Sequence, residues 1–182
     1  MTVRTEQSLS GGGLDVLTSA RASGLDSDEI PGEAEKMKEE FLSILGRVQV
    51  NGVKPANIPI QVSVRRVNRE YGHIVNVTAD LHVEKEDGEI REWMENYSSR
   101  PQALELPSAP PKPFIFVDDL IPISIPDPAT DLKSGMTVRI SDMNMENGIV
   151  SFKAWSENTI RGAAGGTVLL AELAVAEGLL GE

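Results

Sequence analysis

Ile58-Pro59-Ile60-Gln61-Val62-Ser63-Val64-Arg65-Arg66 and His73-Ile74-Val75-Asn76-Val77-Thr78-Ala79-Asp80-Leu81-His82-Val83 stand either side of the polar stretch Asn68-Arg69-Glu70-Tyr71-Gly72. In the first run Ile60, Val62 and Val64 share one parity, with Gln61, Ser63 and Arg65 on the other. Side chains of a strand alternate between faces, so this is the pattern of a half-buried strand. The second run, 74 to 83, sets Val75, Val77, Ala79 and Leu81 against Asn76, Thr78, Asp80 and His82. The polar residues ending in Gly72 reverse the chain, and a hairpin of these two strands is expected.

Working outward, Met136 to Ile140 and Ile149 to Trp155 flank Asn147-Gly148, the dipeptide that supplies positive φ at both centres of a type I′ turn. Phe114 to Val117 is a fifth strand, and the first ten residues are polar and β-tolerant. Helical spacing recurs after Gly11-Gly12-Gly13, from Leu14 to Ala20, and in Glu33 to Leu45, where Met37, Phe41, Ile44 and Leu45 share a face closed by Gly46. It recurs again in Glu89 to Tyr97 and in Gly162 to Leu180. Pro101, Pro107, Pro110, Pro111 and Pro113 predict an ordered, extended connector, and Pro122, Pro126 and Pro128 a second irregular excursion. Five strands with helices before, between and after them predict an α+β domain: a mixed, largely antiparallel sheet with helices on one face.

Of 182 residues, 17 are Lys or Arg and 28 Asp or Glu, a formal charge of −11. Nucleic acid and anionic membrane surfaces are bound by clustered cations, and the longest basic feature here is Arg65-Arg66, so neither partner is expected. Cysteine is absent, which excludes disulfides, thiolate metal sites and a cysteine nucleophile within the chain. Met1 to Gln7 lacks an apolar leader and no run reaches a membrane span, so a cytoplasmic location is expected.

No metal is expected. His73 and His82 are the only histidines, and on one continuous strand their odd separation would put them on opposite faces. Asp142, Asn144 and Glu146 mimic a calcium loop, but Asn147 takes the glycine position and Lys153 the bidentate glutamate position. The glycine runs 11–13 and 162–166 match neither common phosphate-loop pattern; they are tight turns or helix starts, and a helix beginning at Gly162 could present free N–H groups to a ligand. Arg66 and His73 converge only if the chain reverses at 68–72, since seven extended residues span roughly 23 Å. A guanidinium would then fork a carboxylate beside an imidazole able to shuttle a proton. The alternative is a solvated arginine and a strand-end histidine.

Gln7-Ser8-Leu9-Ser10-Gly11-Gly12-Gly13, the Arg66-x6-His73 pair and Asn158-Thr159-Ile160-Arg161-Gly162-Ala163-Ala164-Gly165-Gly166 occur in this order in aspartate-semialdehyde dehydrogenases, which the chain resembles over nearly its whole length. Glu35-Lys36-Met37 and the run from Arg100 to Pro110 fit as well, and the resemblance is closer to the archaeal and fungal branch, which includes a malonyl-CoA reductase paralogue. That family joins an amino-terminal NADP domain carrying the nucleophilic cysteine to a carboxyl-terminal domain for substrate and dimerisation. The resemblance is to the second part only. It implies residues 1–161 as the substrate and dimerisation domain and 162–182 as a helix that packs on the absent NADP domain. It further implies a homodimer or homotetramer formed through the sheet.

The resemblance also implies roles. Arg66 holds the substrate carboxylate, His73 is the acid/base, Gln7 orients substrate and Lys36 contributes to its binding. Asn158 and Gly162 lie beside the nicotinamide. The family glutamate that receives the substrate amine falls at Ala34, flanked by Glu33 and Glu35, a change that suits malonyl-CoA. Ile121-Pro122-Ile123 and Ser141-Asp142 also depart from the usual Arg-Pro-Gln and Gly-Arg. The expected function is half of an NADP-dependent aspartate-semialdehyde dehydrogenase, inactive alone. Its alternatives are a malonyl-CoA reductase-like acyl-CoA reductase domain and a non-catalytic dimerisation module.

Overall fold

The computed structural model describes residues 1–24, 28–82, 87–120 and 135–180. The strands are β1 (Thr2–Gln7), β2 (Asp28–Glu29), β3 (Arg47–Gln49), β4 (Gly52–Lys54), β5 (Gln61–Arg66), β6 (His73–Asp80), β7 (Phe114–Phe116), β8 (Val138–Glu146) and β9 (Ile149–Ser156). Seven of them form one sheet in the order β2-β5-β1-β6-β9-β8-β7, and β3 pairs with β4 apart from it. The pairs β1·β5 and β7·β8 are parallel and the others antiparallel. The helices are α1 (Leu14–Ser23), α2 (Glu33–Ile44), α3 (Asp87–Glu95), α4 (Arg100–Ala103) and α5 (Gly165–Ala176). This is the α+β class expected.

The expected hairpin of residues 60–65 with 74–83 is corrected. The chain does reverse between β5 and β6, but β1 lies between them, parallel to β5 and antiparallel to β6. β1 alternates like its neighbours, with Val3 and Thr5 buried and Arg4 exposed, yet its inward set is half polar and therefore weak as a sequence signal. A parallel neighbour needs a long crossover, and residues 8–60, which carry α1 and α2, supply it.

The β8–β9 hairpin turns at Asn147 (φ 50°) and Gly148 (φ 77°), as the dipeptide predicts. β8 runs past the expected end at Ile140 because a bulge between Ser141 and Asn144, with Asp142 at φ 50°, shifts its register. The proline-rich connector is not wholly extended, because Ser99 and Gln102 form a capping box that starts the short α4. The final helix enters through a π-helical turn, Ile160–Ala164. The excursion at Pro122, Pro126 and Pro128, and Ile121-Pro122-Ile123 with it, lies outside the described residues.

The inward face of the sheet carries Val3, Val64, Ile140 and Val150, all buried. On α1, Leu17 and Ala20 pack on Leu9 with Tyr71 beside them, and on α3 Ile90 packs on Met143 and Val150. α5 docks on the 100–110 segment through polar clamps. Glu172 accepts hydrogen bonds from Ser108 N–H (2.9 Å) and Oγ (2.7 Å), and Glu177 pairs with Arg100 at 2.5 Å. No helix among the described residues is long and apolar enough to cross a membrane.

Candidate active site

β1 and β5 end side by side, with Gln7 in register with Arg66. β6 begins there at His73, one step beyond the Glu6–Ile74 pair and opposite Ser156 of β9. Gln7, Arg66 and His73 therefore occupy one cross-strand row on the face that the helices cover. The parities of Val3 and Thr5, of Val62 and Val64, and of Val75 and Val77 all lead to that face.

Gly11 brings backbone against this row. A Cβ there would lie 2.8 Å from Arg66 Nη1 and 2.9 Å from His73 Cε1, so only glycine lets guanidinium and imidazole meet at one point. Arg66 Nη1 donates to the Ser8 carbonyl at 2.8 Å. Burial pulls its guanidinium below the ordinary arginine value, while Glu33 acts in the opposite sense. His73 Nδ1 accepts from the Ser8 backbone N–H at 3.2 Å. Its pKa falls to about 4, through burial first and then the charges of Arg66 and Arg69, with the Gly72 backbone and Glu33 opposing. At neutral pH the imidazole is uncharged.

Arg69 fixes the turn that leads into His73. It donates from Nε to the Gly72 carbonyl (2.8 Å) and from Nη2 to the Glu6 carbonyl (3.0 Å). Glu33, in the first turn of α2, accepts from Gln7 Nε2 at 3.4 Å and lies 3.8 Å from Lys36 Nζ. Lys36 also lies 3.9 Å from Glu40 and is exposed, so it stands at the rim. The site thus combines a guanidinium, a neutral imidazole and a carboxylate. Such a set can hold a carboxylate and an ammonium at once and present an N–H to an oxygen between them.

Arg66, His73 and Gln7 come together as the sequence predicts, with Lys36 joined through Glu33. Glu33 is the residue that alignment by motif passes over. Its signal was its i,i+3 relation to Lys36, which puts the two on one helix face. Asn158 is not turned outward. Its Oδ1 accepts from Ser8 Oγ (3.0 Å), Ser10 Oγ (3.2 Å) and Gly72 N–H (2.9 Å), and its Nδ2 donates to Ser10 Oγ (3.0 Å). Gly162 is exposed, and a Cβ there would meet only Asn158 Cβ at 3.9 Å.

A dinucleotide finds little to hold it here. β1, the glycine turn and α1 follow the strand-turn-helix order of a phosphate cradle, but Gly11 faces Arg66 and His73, Gly12 is filled by Val16, and Asp15 occupies the first turn of α1, where it repels an anion. The edge at 162–164 is exposed and carries no charged side chain for a phosphate. Among the described residues no group of three His, Cys, Asp or Glu could hold a metal ion. His82 stands apart, exposed, with Asp80.

No protein-family model matches the chain. It is 34% identical over 94% of its length to an aspartate-semialdehyde dehydrogenase of Methanothermobacter thermautotrophicus, and covers 50% of that protein. It is also 34% identical over 98% of its length to a malonyl-CoA reductase (NADP) of Metallosphaera sedula, covering 51%. Among solved structures, Candida albicans aspartate-semialdehyde dehydrogenase with NADP superimposes with a TM-score of 0.77 at 23% identity, over 98% of this chain and 51% of that one. At that identity the superposition speaks for the fold. The chain belongs to the aspartate-semialdehyde dehydrogenase family, and spans about half the length of the curated relatives it matches.

Proposed function

We propose that this chain is the substrate-binding half of a cytoplasmic, NADP-dependent aspartate-semialdehyde dehydrogenase, which reductively dephosphorylates aspartyl phosphate for lysine, threonine and methionine biosynthesis. The observation that carries this reading is the row Arg66–Gln7–His73 with Glu33 bonded to Gln7 across it. Arg66 receives the substrate carboxylate. Glu33, with Gln7 holding it, receives the ammonium. His73 is the acid/base and faces the reacting carbon's oxygen, and Lys36 sets the potential at the rim. NADP, when bound, supplies the hydride. Its phosphates are held outside this chain, with Asn158 and Gly162 bordering only the nicotinamide end. The cysteine nucleophile must also come from elsewhere, since the sequence has none.

The same reading divides the chain at 161. Residues 1–161 bind substrate and form a homodimer or homotetramer through the outer face of the sheet, where Arg4, Arg65 and Ser63 are exposed. The helix in 162–182 covers the cofactor domain.

The second reading is malonyl-CoA reduction, supported by a relative of equal identity. Malonyl-CoA carries a carboxylate and no amine, so Glu33 would face nothing of opposite charge in that substrate. This favours the aspartyl compound despite Ala34. The test is turnover by the native-length polypeptide, purified from its source and weighed intact. It is offered aspartate semialdehyde with phosphate and NADP, and malonyl-CoA with NADPH. Turnover of aspartate semialdehyde that falls about 10–100-fold in kcat/KM with Arg66→Ala is expected. Exclusive turnover of malonyl-CoA overturns the substrate, and unchanged turnover after Arg66→Ala overturns the clamp. A native polypeptide of 19.7 kDa without turnover favours the non-catalytic module.

A further inference from the structure

We propose that Arg69 is a positioning residue for the candidate active site: its guanidinium braces the carbonyls of Glu6 and Gly72, in the peptides that lead into Gln7 and His73, and so fixes where those two side chains stand and keeps a positive charge beside the imidazole. The assignment rests on the reading of Gln7 and His73 as site residues, while the brace itself is independent of any substrate.

Pairing of β1 with β6 ends at Glu6–Ile74, one residue short of Gln7 and His73. Past that point a side chain joins the two strands. Arg69 donates from Nη2 to the Glu6 carbonyl at 3.0 Å and from Nε to the Gly72 carbonyl at 2.8 Å. Each carbonyl belongs to the peptide whose nitrogen is that of a site residue, so both bonds act directly on the row. Gly72, at φ 78°, restrains its own backbone weakly, and the orientation of the 72–73 peptide depends on what holds its carbonyl. The Glu6 carboxylate, 3.6 Å from Nη1, is beyond hydrogen-bond reach and bonds to Arg65 instead. The two carbonyls are therefore the direct partners of the guanidinium. Its side chain is only 16% exposed, which leaves little water to replace them.

The brace also places charge. Arg66 from β5 and Arg69 from the turn disfavour the protonated ring, in the same sense as its burial, while Glu33 from α2 and the Gly72 backbone favour it. A bound substrate carboxylate would offset the charge of Arg66. Arg69, held by backbone, keeps its charge throughout, so His73 stays uncharged and ready to accept a proton with substrate in place.

The His73 ring is followed by 1H–13C correlations from pH 8 to 4.5 in the 182-residue chain, with the exposed His82 as internal reference. The wild-type ring, titrating near 4, stays uncharged over most of that range. Arg69→Gln is expected to raise the midpoint by about one unit, and Arg69→Lys, which keeps the charge and loses the fork, to leave it within about half a unit. In the native-length enzyme Arg69→Gln is expected to lower kcat about 10–100-fold with KM for aspartate semialdehyde changed less than about threefold, and Arg69→Lys to recover part of that loss. A role confined to stabilising the turn would lower the unfolding midpoint and move neither the titration nor kcat. A folded Arg69→Gln chain whose ring titrates as in wild type overturns the proposal, as does a rise in KM at unchanged kcat. Should Arg69→Gln lose the folded amide spectrum, Arg69→Lys decides: ring shifts and kcat both equal to wild type overturn the brace, and a partial loss of kcat at unchanged KM supports it. A wild-type enzyme idle on aspartate semialdehyde overturns the functional reading alone and leaves the titration to judge the brace.

Discussion

Gly72 lies so close over the indole of Trp155 that a Cβ on it would come within 2.2 Å of Nε1. The glycine also sits at φ 78°, where an L side chain is strained. Trp155 is 1% exposed, so it has nowhere to retreat. Gly72→Ala should then cost about 1–3 kcal/mol for overpacking, with about 1–2 kcal/mol more for the backbone. Urea unfolding followed by tryptophan fluorescence measures it. A loss under about 0.5 kcal/mol, the usual span of surface changes, would mean that the turn is not seated on the indole.

The buried imidazole predicts a pH dependence of stability. In the unfolded chain His73 titrates near its ordinary 6.5, and in the folded chain near 4. Between those values the unfolded state binds a proton that the folded state refuses. Stability therefore falls as pH drops from about 6.5 to 4, by about 3 kcal/mol in all, and the contribution is flat below. Glu6 acts in a lower window. Its carboxyl is held below 4.5 chiefly by the Arg65 guanidinium, so its stabilisation is present above that value and lost as pH falls through the depressed one. Urea midpoints at pH 7, 5.5 and 4.5 should converge for wild type and His73→Asn as the wild type loses its advantage. Parallel pH profiles for the two proteins would contradict the buried, neutral ring.

The sequence displayed the sheet where alternation was apolar and failed where it was not. β5, β6 and the Asn147-Gly148 hairpin are visible because one parity is β-branched or the turn chemistry is specific. β1 hides because Thr5 and Gln7 share the inward parity with Val3, and only the paired strands give them a reason to be there. The site followed the same rule. Arg66 and His73 are separated by a turn that can be read locally. Glu33 and Asn158 reach them from 33 and 85 residues away from Arg66 and His73, and no local pattern encodes such contacts.

Gly11 offers a cleaner probe of the site than a charged residue does. Its φ is not in the left-handed region, so alanine fits the backbone, and the atoms a methyl would meet are the ends of Arg66 and His73. Gly11→Ala should therefore leave the unfolding midpoint within about 1 kcal/mol of wild type while displacing both groups from their shared point. In the dehydrogenase proposed above, a misplacement of that size should cost on the order of 10²-fold in kcat/KM. Full turnover in a stable Gly11→Ala protein would show that substrate does not use the gap between the two side chains.

The last prediction concerns α5, where a polar anchor stands among exposed apolar side chains. The anchor is Glu172, which satisfies both the N–H and hydroxyl of Ser108, itself only 9% exposed. Glu172→Ala leaves that N–H buried without a partner, at about 1–3 kcal/mol, and hydrogen exchange across 165–176 should accelerate accordingly. Val168 and Val175, at i−4 and i+3 on the same side of the helix as Glu172, and Leu170 on the opposite side stand in solvent, Leu170 being 66% exposed. Exposed apolar surface of this kind on a folded chain binds hydrophobic dyes and drives association. The paired change L170Q and V175Q should lower dye fluorescence and self-association in sedimentation velocity, with stability held within about 0.5 kcal/mol. If the pair instead destabilises the chain as much as Glu172→Ala does, these side chains are part of the core of this chain and not of its surface.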